Sequence, residues 1–368
     1  MIKKLLLIGA QRAHLQLLKQ FKDTPQPLME VTLLTPDKYY YHSGLLPELI
    51  EGHNELKKTR LNIEPLATQA NVKWIKAAAL SLDAPRKRIL TDRGDLLAFD
   101  IVSFNIEGLN EGGEQPLVAD KAVTLQQKSR FLQRVPKLRT SDNLVIVGGS
   151  QTAIEIAFSF QAWRNKNKVM QPVTLICHPT FFPGCFPKLS TKLEKRMKSQ
   201  GIHLIKTTSL PTVQENRLLM DSTAPVPYTD LLWLTPPRGP RMFEQALLPT
   251  DEKGFLRVEE TLQVKAFPYI FGAGECISLS QTQVGVDLDT MVSLQADILW
   301  ENLRGYALNG EGYLYEPPKN TGSTLYIGNQ AALYLFQNHS LKSKRAWRVK
   351  VRAYHQFLGS LNSPPLQE

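Results

Sequence analysis

Leu5-Leu6-Leu7-Ile8-Gly9-Ala10-Gln11-Arg12-Ala13-His14 opens the chain, and Leu144-Val145-Ile146-Val147-Gly148-Gly149-Ser150-Gln151-Thr152-Ala153-Ile154-Glu155 repeats its pattern near the middle. In each, an unbroken apolar run ends on a glycine and a helical stretch follows, to about Lys22 in the first copy and about Asn165 in the second. Such a run reads as a strand buried on both faces. Each helix leads to a second apolar strand, Val31-Thr32-Leu33-Leu34-Thr35 and Val173-Thr174-Leu175-Ile176. Each copy is thus a β-α-β unit of about 35 residues, the size of a crossover between parallel strands. Two copies make an internal repeat, which predicts an α/β protein with two Rossmann-like units.

Working outward, Val72-Lys73-Trp74-Ile75, Lys87-Arg88-Ile89-Leu90 and Phe99-Asp100-Ile101-Val102-Ser103-Phe104 read as strands between the two units. An Asp92-Arg93-Gly94 turn follows the second of them. After the second unit come a helix over Lys192 to Gln200, a strand at Ile202-His203-Leu204-Ile205 and a strand at Leu231-Leu232-Trp233-Leu234. A chain of 368 residues is long enough for two domains. With 42% hydrophobic and 21% charged residues it has a globular composition, and no stretch reaches the roughly 18 apolar residues of a spanning helix. The basic start Lys3-Lys4 ahead of a short apolar run lacks a cleavage site and reads as a first strand rather than a signal peptide.

Cys177, Cys185 and Cys276 are sparse and odd in number, which fits a reducing compartment, so the cytoplasm is expected. The spacing of Cys177 and Cys185 suits neither a redox dithiol nor a metal site, and packing roles are expected. Lys and Arg exceed Asp and Glu by 44 − 34 = 10. Most of the excess is scattered, as at Lys57-Lys58 and Arg86-Lys87-Arg88, which argues against a nucleic-acid footprint. The densest cluster is C-terminal: Lys342, Lys344, Arg345, Arg348, Lys350 and Arg352. In a helix, Trp347, Val351, Tyr354 and Leu358 would form an apolar stripe beside them. Two readings stand: a basic amphipathic helix on an anionic membrane surface, or a helix docked onto the fold by that stripe.

A dinucleotide-binding turn uses glycine where strand becomes helix, because the backbone must approach a pyrophosphate seated on the helix N-terminus. The first copy keeps Gly9 but has Gln11 and His14 at the other two glycine positions. His14 reads equally as a helix-surface residue. The second copy keeps Gly148 and has Ser150 and Ala153, small enough for fairly close approach. Neither second strand ends in the acid that grips a ribose: Thr35 and Cys177-His178 stand there. No arginine offers itself to a 2′-phosphate, which leans toward NADH and leaves NADPH open.

Tyr39-Tyr40-Tyr41-His42-Ser43-Gly44-Leu45-Leu46-Pro47-Glu48-Leu49-Ile50-Glu51-Gly52-His53 resembles the post-strand segment of type II NADH dehydrogenases and sulfide:quinone reductases. It is most similar to the variant in flavoprotein modules associated with selenophosphate synthetase. Phe99–Ser103, Gly254-Phe255-Leu256-Arg257-Val258, Thr261-Leu262-Gln263-Val264 and Tyr269-Ile270-Phe271-Gly272-Ala273-Gly274-Glu275-Cys276 resemble further motifs of the same superfamily, in the family's order. The resemblance implies a two-dinucleotide-binding flavoprotein fold of the pyridine nucleotide-disulfide oxidoreductase superfamily. An FAD domain would comprise 1–112 and 263–320, an NAD(P)H domain 115–262 would be inserted in it, and 321–368 would be a C-terminal extension.

By the same resemblance, Gly9, Gln11, His14, Thr35, Ser43, Gly44, Leu45, Glu107, Gly108, Gly274, Glu275, Leu294 and Gln295 fall at the flavin, with Glu275 on its ribityl chain. Gly148, Gly149, Ser150 and Glu155 fall at the nicotinamide nucleotide. Glu155 is the candidate catalytic residue, facing nicotinamide and flavin; otherwise it is a solvent-facing helix glutamate. Met291 and Leu294 border a quinone pocket in the resembling dehydrogenases, or are core. Gln11, His14, Ser150, Ala153, Glu107 and Pro236 stand where the family has glycine, and Glu107 adds bulk and charge beside a phosphate-bearing cofactor. With no family-type redox disulfide, electrons would pass from NADH to FAD and directly to an acceptor such as a quinone. Two function classes follow: an FAD-dependent NAD(P)H oxidoreductase, cytoplasmic or peripheral on the inner membrane face, or a degenerate member that keeps the fold as a nucleotide-binding or interaction protein.

Overall fold

The computed structural model describes residues 2–181, 187–221, 223–280, 287–310, 312–318, 322–336 and 339–362. In chain order the elements that build the sites are strand β1 (Lys3–Ile8), helix α1 (Arg12–Asp23), β2 (Met29–Leu34), α2 (Leu46–Glu51), β3 (Lys73–Ile75) and β4 (Ile101–Phe104). There follow β5 (Leu144–Val147), α3 (Gln151–Lys166), β6 (Thr174–Cys177), α4 (Pro187–Gln200), β7 (His203–Lys206), β8 (Asp230–Trp233) and β9 (Phe267–Gly272). The chain continues with α5 (Leu288–Ala307), β10 (Ser323–Tyr326), β11 (Ala332–Phe336), β12 (His339–Ser343) and α6 (Lys344–Asn362). Helix α4 starts at Pro187, ahead of the Lys192 expected from periodicity.

The apolar runs become parallel strands because both faces of each sheet are covered: in the second sheet Ile146 and Leu175 cluster with residues of α3 and α4, and Val145, Val147 and Trp233 with Val213, Leu218 and Met220 of a small antiparallel sheet. The first sheet has the order β9-β4-β1-β2-β3, with the short strand Gln263–Val264 antiparallel on the β9 edge. Leu5 to Ile8 pair with Val31 to Leu34 on one side and with Ile101 to Phe104 on the other. The second sheet, β7-β6-β5-β8, is wholly parallel and lies in sequence between β4 and β9. The chain passes between the sheets at Leu109–Asn110 and Pro237–Arg238, which pair antiparallel. Gly108 is required there: a Cβ would sit 2.7 Å from the Arg238 carbonyl oxygen.

Helix α1 buries Leu15, Leu17, Leu18 and Phe21 against the first sheet and α5, where Phe21 meets Trp300 edge to face at 4.8 Å. Helix α3 is buried almost all round, as expected of a helix enclosed on every side. Its Arg164 is buried and spends its guanidinium on the carbonyls of Leu138, Ser141 and Gln171. Cys177 and Cys276 are buried packing residues, while Cys185 lies outside the described residues.

The C-terminal segment is a three-stranded antiparallel sheet, β10-β11-β12, followed by α6. Trp347, Tyr354 and Leu358 are buried and Val351 packs beside them, so the apolar stripe faces the fold. The docked reading of this helix therefore holds over one in which the stripe is free for a membrane. Trp347 stacks near Tyr326 at 4.3 Å, and its indole N–H donates to Glu48 at 2.6 Å. Of the basic cluster, Lys350 turns inward while Lys342, Lys344, Arg345, Arg348 and Arg352 are exposed. No helix among the described residues is long and apolar enough to cross a membrane.

Candidate functional site

In an open parallel sheet, ligands lie at the carboxyl ends of the strands where the strand order reverses. In the first sheet that point is beside β1, between β2 and β4. Its rim is made by Gly9 to Arg12 after β1, Thr35 after β2, Asn105 to Glu107 after β4, and Ala273 to Glu275 after β9. Gly9 has φ +87, and a Cβ there would overlap the Asn105 carbonyl and the Ile106 side chain. Protein backbone, before any cofactor, demands this glycine.

His14 is buried, which corrects the helix-surface reading. Its Nδ1 donates to the Gly9 carbonyl at 2.7 Å, leaving Nε2 to accept from the Ser103 hydroxyl at 2.9 Å. Burial lowers its pKa to about 4 against the opposing Gly9 bond, so the ring is neutral and ties α1 to β1 and β4. Asn105 completes the floor, accepting from His14 N at 3.1 Å and donating to the Ala273 carbonyl at 2.8 Å. The Gly274 amide donates to Gln295 Oε1 at 2.8 Å. Thus His14, Gly274 and Gln295 are joined to one another's surroundings by protein-to-protein bonds.

Around this floor the charges are mixed. Glu107 is ion-paired with Lys128, which answers the charge the sequence leaves there. Glu275 is solvent-exposed at the rim. Buried Thr35 and the residues Gln11, Glu107 and Lys128 line a cavity of about 30 Å³, room for one or two waters. Leu294 is exposed and Met291 half-buried, so neither is core.

Arg12, at the first position of α1, spans the crevice. Its Nε and Nη2 each donate to Ser293 Oγ at 3.1 Å, and Nη1 lies 3.0 Å from Nε2 of His42, whose Nδ1 accepts from Gly44 N at 3.2 Å. Nη1 also lies 3.6 Å from Asp289, and the guanidinium sits 4.0 Å over the Phe357 ring. Burial, then the Arg12 charge, pushes His42 down to about 3, so it is neutral. Tyr354 stacks on His42 at 4.2 Å and lies beside the Asp289 carboxylate, burial and then that charge raising its pKa, and its ring lies so close to Gly44 that a Cβ there would overlap it. Ser43 is exposed beside this contact and Leu45 is buried below it. The residues expected on either side of a flavin, Ser43 to Leu45 and Leu294 to Gln295, are therefore bridged by Arg12, His42, Asp289 and Tyr354. FAD does not fit this arrangement of the described residues unless those side chains move.

Arg12, His42 and Asp289 did not stand out in the sequence, and Tyr354 did so as part of the apolar stripe of the C-terminal helix, without its place in the crevice. One signal was available: a cation in the first turn of a helix opposes the helix dipole and asks for a counter-charge, here Asp289.

The second crevice lies at the ends of β5, β6 and β8. Gly148 has φ +147, and a Cβ there would run into the Leu234 carbonyl. Gly149 lies under Phe181, whose Cβ would stand 2.8 Å from an added Cβ. Ser150 caps α3, its hydroxyl accepting from Ala153 N at 3.3 Å. Glu155 is buried, which removes the solvent-facing reading; it accepts from Gln151 Nε2 at 3.1 Å and Tyr326 N at 3.0 Å. Burial raises its pKa, opposed chiefly by Lys350. Lys350 donates to Asp287 at 3.0 Å and to the Thr324 carbonyl at 3.2 Å. Burial works against its charge, but Asp287 and Glu155 outweigh that and hold it above its ordinary range. The C-terminal segment thus covers Glu155 and reaches Gly44.

A family model described as pyridine nucleotide-disulphide oxidoreductase matches residues 4–288. An NADH dehydrogenase-like protein of Mycobacterium tuberculosis is 25% identical over 237 residues, 60% of this chain, and the chain spans only 59% of that relative's length. A type II NADH:quinone oxidoreductase of Staphylococcus epidermidis is 22% identical over 95% of this chain and 93% of its own. The sulfide:quinone oxidoreductase of Aquifex aeolicus superposes with TM-score 0.79 at 15% identity, over 99% of this chain and 92% of that one. The NDH2 of Plasmodium falciparum, solved with NADH, gives 0.77 at 13% identity over the whole of both chains. At such identities the structural likeness speaks for the two-dinucleotide-binding fold, and the sequence match across both sheets decides the family. The chain belongs to the pyridine nucleotide-disulphide oxidoreductase family.

Proposed function

We propose that the protein is an FAD-dependent NAD(P)H oxidoreductase of the NADH dehydrogenase-like kind, with a quinone or similar small molecule as acceptor. The observation that carries this reading is the family match running from β1 through both sheets to the start of α5, over two crevices each opened by a glycine turn. FAD is assigned to the unit of 1–112 and 263–320, and NADH or NADPH to 115–262. Gly9, Gln11, His14, Thr35, Ser43, Gly44, Leu45, Glu107, Gly108, Gly274, Glu275, Leu294 and Gln295 are proposed for the first site, and Gly148, Gly149, Ser150 and Glu155 for the second. The name of the Staphylococcus relative supports a quinone acceptor.

Peripheral contact with an anionic membrane belongs to the same proposal. It is supported by the exposed cations Lys342, Lys344, Arg345, Arg348 and Arg352 beside exposed Leu341 and Val349, each cation contributing about 1 kcal/mol near such a surface. Because the apolar stripe of α6 is docked, truncating the helix would uncover the core. Arg345→Glu with Arg348→Glu in the full chain is the cleaner test, and should abolish co-sedimentation with anionic vesicles.

A second reading, a nucleotide-binding member without flavin chemistry, is favoured by one observation: Arg12 and Tyr354 fill the first crevice. The deciding experiment is purification followed by reconstitution with FAD and assay of NADH oxidation with a soluble quinone analogue. Bound flavin absorbance with NADH-dependent bleaching supports the oxidoreductase. Protein that stays colourless under all reconstitution conditions but still binds NADH overturns it for the second reading.

A further inference from the structure

The first crevice is closed by a set of contacts that start on four separate elements. Arg12 comes from α1, His42 from the turn before α2, Asp289 and Ser293 from α5, and Tyr354 and Phe357 from α6. Arg12 donates to Ser293, contacts His42 and Asp289 and lies against the Phe357 ring; Tyr354 stacks on His42, lies beside Asp289 and packs on Gly44. The helix that supplies the two aromatic rings is anchored by contacts that do not involve the crevice: Trp347 to Glu48, and Tyr326, from the neighbouring strand, to Glu51. Two adjacent groups of contacts therefore hold α6, one at its anchor and one in the crevice. The aromatic pair and the guanidinium offer two ring faces and a cation, the kinds of partner that a planar, electron-poor ring bearing carbonyls would use, and they satisfy each other instead.

We propose that the C-terminal helix is an internal competitor of the flavin, with Tyr354, Phe357 and Arg12 occupying the ground that the isoalloxazine ring takes. This rests on the reading of FAD as the cofactor of the first sheet. Flavin binds a state in which the Tyr354 and Phe357 rings and the Arg12 guanidinium have withdrawn, while the Trp347 and Tyr326 anchors remain. The apparent affinity is then the intrinsic affinity scaled down by the fraction of molecules in the open state.

The test uses the full chain. FAD binding is followed by flavin absorbance and fluorescence quenching in the wild type, in Tyr354→Ala/Phe357→Ala, and in Tyr354→Phe, which keeps the ring. Circular dichroism checks the fold of each. The double variant should bind FAD at least tenfold more tightly than wild type, and Tyr354→Phe should gain far less. In wild type, saturating FAD should raise hydrogen exchange of the 350–358 amides while leaving those of β10 unchanged. A folded double variant with wild-type affinity overturns the proposal, as does FAD binding to wild type with no change in exchange over 350–358. If the double variant does not fold, the exchange measurement on wild type decides alone. A variant that gains FAD but never oxidises NADH leaves the competitor standing and removes the proposed activity. Tight FAD with NADH oxidation and unchanged exchange does the reverse.

Discussion

Glu51 should make the docking of the C-terminal segment depend on pH, in the direction opposite to an ordinary surface carboxylate. It ends α2 and is buried, with its carboxylate accepting from the Tyr326 hydroxyl at 2.6 Å, from Asn329 N at 3.1 Å, and lying 3.1 Å from His53 Nε2. Burial raises its pKa from 4.5 to about 7, against the Tyr326 and Asn329 bonds; Glu48 adds to the rise and Lys166 opposes it. A carboxyl whose folded pKa lies above its unfolded one contributes stability that is complete below pH 4.5 and is lost as pH rises through about 7. With about 1.4 kcal/mol for each pH unit between those values, the loss by pH 8 is on the order of 3 kcal/mol. Glu51→Gln holds the group neutral at every pH. Urea unfolding of both proteins from about pH 4 to about pH 8 should show near-equal stability at the acid end and the variant ahead by on the order of 3 kcal/mol at the alkaline end. Groups remote from Glu51 contribute alike to both proteins, so the difference between the two curves reports on Glu51 together with its contacts to His53 and Glu48. A difference that stays constant with pH, or a wild type that gains on the variant toward pH 8, refutes the reasoning.

Trp347→Phe keeps a ring in the buried site but removes the indole donor from buried Glu48, and should lower stability by about 1–3 kcal/mol, read as a shift in the urea midpoint. Gly148→Ala places a Cβ against the Leu234 carbonyl at a positive φ and should cost about 3 kcal/mol, so loss of NADH binding in that variant reports on folding before it reports on the nucleotide site. Gly359→Ala, where an added Cβ meets nothing within 4 Å on an exposed turn of α6, should instead stabilise by about 1 kcal/mol in the same assay.

The two β-α-β units, their glycine turns and the parallel pairing were legible in the sequence because each depends on neighbours a few residues apart. An apolar run ending on glycine and followed by a helical period can close locally in few ways. The amphipathic pattern of 344–358 was equally plain, and so was its basic face. What covers each face was not. His14 was open between the flavin site and the helix surface until Ser103, on a strand far along the chain, supplied its second bond and showed it buried. Glu155 was open between a place at the nicotinamide and a solvent-facing one until β10 brought Tyr326 N onto it and removed the second. Arg12 carried no mark beyond its place at a helix start, and its partners Ser293, Asp289 and Phe357 lie hundreds of residues away. Periodicity says which side of an element is apolar and where a turn must bend. Which buried charge meets which, and whether a crevice stays open, is decided by side chains that only the packed tertiary structure brings within a few ångströms.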